Sequence, residues 1–150
     1  MGIFKIEDVL EKEGIYIATI SGISMYPMLR NRRDTVVIKP YEGRLKKFDV
    51  PLYKVGERYI LHRIIKVLPD SYVIRGDNLA EKEYGITDEN ILGVMTSFYR
   101  DEKEIKLNSL AYKTYVFVWH NIFYLRIFVQ KVHNKLRRGR NINAGSDISS

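Results

Sequence analysis

Three short segments hold side chains that can do chemistry together. Gly22-Ile23-Ser24-Met25-Tyr26-Pro27 sets a serine between a strand and a turn. Glycine lets backbone approach closely and proline fixes the exit of the turn, a geometry that presents a hydroxyl at the mouth of a cleft. Turns rich in serine and proline also occur with no chemistry attached. Tyr59-Ile60-Leu61-His62-Arg63 sets a titratable base in an otherwise apolar strand, where a lone histidine is ordinarily a satisfied core or edge residue. Arg75-Gly76-Asp77-Asn78 ends the next strand and reads first as a turn. A hairpin through Pro69-Asp70 would bring His62 and Asp77 toward each other. A serine oxygen is a poor nucleophile until a neighbouring base takes its proton. Imidazole titrates near neutrality and suits that task, and a carboxylate fixes its tautomer and stabilises the cation that forms.

Other chemistries are narrowed by composition. The chain has no cysteine, which removes disulfides, thiolate metal sites and a cysteine nucleophile. Its three histidines, His62, His120 and His133, are too scattered for a metal cluster, so neither metal nor cofactor is expected. With 150 residues, 45% hydrophobic and 29% charged, the chain suits one packed domain of ordinary size. Its start, MGIFKIEDVLEKEG, lacks a basic region followed by an apolar core, so no export signal is expected.

The elements that must position these groups are mostly strands. Residues 5–13 read as a short amphipathic helix with Ile6, Val9 and Leu10 on one side, ended by Gly14. Strands are expected over 15–20, 35–40, 48–54, 58–68, 71–76, 91–100 and 104–107. Pro51 predicts that strand 48–54 is an edge or carries a bulge. Many short strands at close spacing imply a mainly β domain over 1–108, an antiparallel barrel or folded sheet.

Residues 110–138 change character, with no glycine or proline and seven of the chain's 18 aromatic residues. Twelve residues between Lys113 and Arg126 carry no formal charge, too few for a membrane span of about 20 residues. Lys113, Thr114, His120, Asn121, Lys131 and Lys135 gather on one helical face. The net charge of +7 concentrates here, because 109–140 hold Lys113, Arg126, Lys131, Lys135, Arg137, Arg138 and Arg140 and no acid. Residues 1–108 balance 18 basic against 17 acidic groups. A nucleic-acid-binding domain more often spreads its charge over the body. A basic, aromatic helix over 109–140 suits an anionic membrane surface, with packing on a domain or a true span as alternatives. Residues 141–150 read as a disordered tail.

Taken in order, these boxes resemble type I signal peptidases and the related self-cleaving repressors. Gly22–Leu29 is similar to their G-x-S-M-x-P-x-L box. Arg33-Asp34-Thr35-Val36-Val37 resembles a G-D-x-V strand with arginine in place of glycine, and Lys47-Phe48-Asp49-Val50 resembles a second such element. His62 before Arg63 is similar to the histidine-base branch, and Gly76-Asp77-Asn78 to the family's G-D-N box. The resemblance covers residues 15 to about 96. It implies Ser24 as nucleophile, His62 as general base and Asp77 as the orienting acid. Glu83, six residues later, is the alternative acid, in a stretch that also reads as a solvated loop. The backbone N–H of Ser24 is the oxyanion donor it implies, since Gly22 offers no side chain two positions earlier.

The resulting expectation is a serine endopeptidase that cuts signal- or leader-bearing precursors, held extended along an edge strand. Two alternatives stand beside it: a catalytically inactive peptide-binding or membrane accessory, and a self-processing regulator. No nucleic-acid partner is expected. Membrane association is expected, by default at the cytoplasmic face because no export signal is visible.

Overall fold

Apolar residues at helical spacing and a glycine stop produce helix α1 (Ile6–Glu13), which buries Leu10. Gly14 ends it at φ 66°, a left-handed conformation that costs glycine nothing, and returns its N–H to the Leu10 carbonyl at 3.0 Å. The computed structural model describes the backbone of residues 5–143 and the side chains of 5–136. The chain divides after Ser109 into two compact units.

The first unit is mainly β, and its larger sheet curls into a half-barrel. That sheet has the order β1 (Tyr16–Thr19), β2 (Thr35–Lys39), β8 (Ile91–Arg100), β3 (Pro51–Val55), β4 (Arg58–Leu61), with β9 (Lys103–Lys106) also paired to β8. A second sheet runs β5 (Arg63–Val67), β6 (Tyr72–Arg75), β7 (Glu83–Ile86). Every pairing among them is antiparallel.

Of three local features, two depart from the sequence-based expectation and one, the bulge anticipated beside Pro51, is met. The run 58–68, expected as one strand, is two strands broken at His62, and the break is where the chain passes from one sheet to the other. Strand β3 is not an edge, since it lies between β8 and β4. Pro51 is tolerated as its first residue, and the anticipated irregularity falls one step on, as a register shift between Leu52 and Tyr53. Glu83 opens β7 rather than lying in a loop, in register with Ile74 on β6.

One core cluster, Leu45, Tyr53, Ile64, Tyr72, Ile74, Ile86 and Ile91, joins β3 to the small sheet. Met25, Met28, Leu29, Val36 and Ile38 are also buried. At roughly 1.5–3 kcal/mol per buried large apolar side chain, such burial is the main stabilising term for the unit.

The second unit is helix α2 (Leu110–Asn143). It continues three residues into the stretch read as tail, and residues 144–150 lie outside the described residues. No helix among the described residues is long and apolar enough to cross a membrane.

Candidate active site

Ser24 stands in the turn between β1 and β2. Gly22 opens that turn at φ 108°, where a side chain would be strained, and donates its N–H to Asn31 Oδ1 at 2.9 Å. The Tyr26–Pro27 peptide bond is cis. Met25, Met28 and Leu29 are buried and sink the loop into the fold, while Ser24 stays half-buried. Arg100 fastens the far end of the loop, donating to the Met28 carbonyl at 2.6 Å and to the buried Asp34 at 2.7 Å.

The segment Gly76-Asp77-Asn78 braces this loop from the opposite side. A Cβ on Gly76 would lie 2.7 Å from the Ser24 carbonyl oxygen, closer than side-chain carbons come to backbone. Only glycine permits that approach. Asn78 donates its backbone N–H to the same carbonyl at 2.8 Å and its side-chain amide to the Ile23 carbonyl at 3.2 Å.

His62 is 7% exposed and sits at the break between β4 and β5. Its Nδ1 lies 2.7 Å from Glu83 Oε1 and 3.2 Å from the Tyr53 hydroxyl. Tyr53, wholly buried, donates to Glu83 Oε2 at 2.8 Å. Burial, then the hydrogen bond to Glu83 and its charge, pushes the Tyr53 hydroxyl far above its ordinary range, so it remains a donor. An ionised carboxylate only accepts, so Nδ1 must carry the proton of the 2.7 Å contact. In the neutral imidazole the lone pair is then on Nε2.

Asp77 is not the acid on His62 Nδ1. Arg63 Nε and Nη2 hold both its carboxylate oxygens, at 2.7 and 2.8 Å, and both side chains are buried. Arg63 also donates to the Phe48 carbonyl at 3.0 Å and reaches Met28 Sδ. The two acids weighed from sequence thus have separate partners. Glu83 binds the imidazole, and Asp77 anchors the arginine next to it in the chain.

Ser24 and His62 line one groove of about 250 Å³ in the first unit. Its walls come from Tyr16 and Ala18 on edge strand β1, Leu52 on β3, and Tyr59 and Ile60 on edge strand β4. Ile6 of α1 contributes to the lining. Among the described residues no hydrogen bond engages Ser24 Oγ or His62 Nε2, and none accepts the Ser24 N–H. The arrangement therefore offers a hydroxyl, a base with a fixed tautomer and an unclaimed backbone donor at one groove.

No protein-family model, characterised relative or solved structure matches this chain. Tyr53 was not legible as a site residue, because a tyrosine in a strand is an ordinary strand former. Its role depends on a contact with Glu83, 30 residues away in sequence.

Proposed function

We propose that the protein is a serine endopeptidase of the signal-peptidase type, acting on precursor peptides held extended in the groove. One observation carries this reading: Ser24 and His62 share the groove, and the imidazole's other nitrogen is bound by a carboxylate. In the proposed reaction His62 Nε2 takes the Ser24 proton as Oγ attacks the peptide carbonyl. Glu83 stabilises the imidazolium that results, and the Ser24 N–H faces the developing oxyanion. The imidazolium then gives its proton to the leaving amine. Water, activated by the same base, hydrolyses the acyl ester and restores Ser24.

The reaction needs Oγ and Nε2 within about 2.6–3.2 Å of each other, a contact that commonly tightens only once substrate is bound. The edge strands beside the groove, β1 and β4, whose outer edges pair with no strand among the described residues, offer backbone for an extended substrate. The family resemblance alone implies a substrate with small residues before the cut.

A fluorophosphonate should label Ser24, shown by peptide mapping of the adduct. Ser24→Ala should abolish labelling and cleavage of leader-bearing peptides, and His62→Ala should lower turnover by about 10²- to 10⁴-fold. Full turnover in both variants would overturn the reading.

A further inference from the structure

Helix α2 exposes a long apolar face. Phe117, Leu125, Phe128 and Leu136 are between 61% and 65% exposed, and Val118, Ile122, Val129 and Val132 are exposed beside them. At 3.6 residues per turn these eight side chains fall within an arc of about 140°. Arg126 lies about 40° beyond Ile122 on one flank, and Lys113 and Lys131 about 40° beyond Phe117 on the other. Lys135 stands at the arc's edge, in line with Phe117. No acid occurs anywhere in 109–140.

We infer that this face of α2 lies flat on an anionic lipid surface. Width and aromatic content support it, since the arc is broader than the narrow seam of a two-helix coiled coil and includes two phenylalanines. The flanking cations match, because long basic side chains can lay their stems along the apolar face and bring their charges to lipid phosphates. A second copy of this chain is the competing occupant, because Val118, Ile122, Leu125, Val129, Val132 and Leu136 also keep the alternating three- and four-residue spacing of a coiled coil. Charge decides against it. A second copy would set basic flanks against basic flanks, with no acid to pair them. The helix lies on the bilayer rather than through it: its uncharged run of twelve residues is about 18 Å long, against a hydrocarbon core of about 30 Å.

This inference is independent of the peptidase reading, so its test uses binding rather than turnover. The full chain is floated with vesicles of phosphatidylcholine alone and of phosphatidylcholine mixed with phosphatidylglycerol. Binding to the mixed vesicles should exceed binding to the neutral ones by at least about tenfold, since each basic side chain near the surface contributes roughly fivefold. It should fall steeply in high salt. Leu125→Ser with Phe128→Ser should weaken binding at least about tenfold. Lys131→Glu with Lys135→Glu, which leaves the apolar face intact, should do the same, and Ser24→Ala should change nothing. Equal binding to both vesicle types, or no binding to either, overturns the inference. So does sedimentation showing a dimer in the absence of lipid that the Leu125 and Phe128 substitutions dissociate.

Discussion

Two carboxylates six positions apart have different partners, and shape-preserving amide substitutions make them separable by experiment. Glu83 is partly exposed and meets His62 and Tyr53, whereas Asp77 is buried against Arg63. Removing one member of a buried ion pair leaves the other charge uncompensated, at about 3–5 kcal/mol. Asp77→Asn should therefore destabilise the fold by roughly that amount, read as a lower thermal midpoint. Glu83→Gln should leave the midpoint nearly unchanged and lower kcat by about 10²- to 10⁴-fold, because an amide no longer fixes the Nδ1–H tautomer. A silent Glu83→Gln, with Asp77→Asn inactive yet stable, would reverse the assignment. The structure sets Ser24 and His62 at one groove, and both were legible as candidates through the order of their boxes along the chain. The acid was not, because the choice depends on the register that sets Glu83 opposite Ile74, which no local pattern encodes.

At the scale of elements, one short helix is tied to a hairpin by charge. Glu7 on α1 pairs with Lys54 on β3 at 3.0 Å and accepts a hydrogen bond from Tyr59 on β4 at 2.7 Å. Burial pushes the Glu7 carboxyl upward. The hydrogen bonds from Tyr59, its own backbone and Lys54 outweigh burial and hold it at about 2, down from an ordinary 4.5. A carboxyl depressed on folding stabilises the native state above its unfolded value. That contribution is fully present above about pH 4.5 and is lost as pH falls toward about 2. Glu7→Gln should therefore cost about 0.5–1 kcal/mol at neutral pH, the scale of a partly exposed pair. The gap between the two proteins should close across that acidic window in urea melts taken at successive pH values. A gap that stays constant down to pH 2 would show that the tether acts through packing alone. The hairpin itself was visible in sequence only in part. The run 58–68 is rich in aliphatic residues on both sides of His62, so its pattern had no mark for the crossing there that divides it into β4 and β5. That crossing is a property of two sheets meeting, and it is what takes the imidazole out of a strand and into the groove wall.

Over the whole molecule, the proposed chemistry and the basic charge fall in different units. The first unit contains both sheets, the groove, and every residue proposed to act on substrate. Residues 1–108 are nearly neutral, with 18 basic and 17 acidic groups. The excess charge belongs to the segment that forms α2. If the units divide the work in this way, a chain ending at Ser109 should keep the reaction and lose the surface. It should unfold in one cooperative transition, as a small domain with its own core does. It should hydrolyse a soluble leader peptide at a rate close to that of the full chain, while its flotation with phosphatidylglycerol vesicles disappears. On precursors presented at a vesicle surface the shortened chain should fall behind, because binding at a surface raises the local concentration of enzyme near its substrate. Loss of turnover on the soluble peptide, with the shortened chain still folded, would mean that α2 completes the site, and the division of labour would fail.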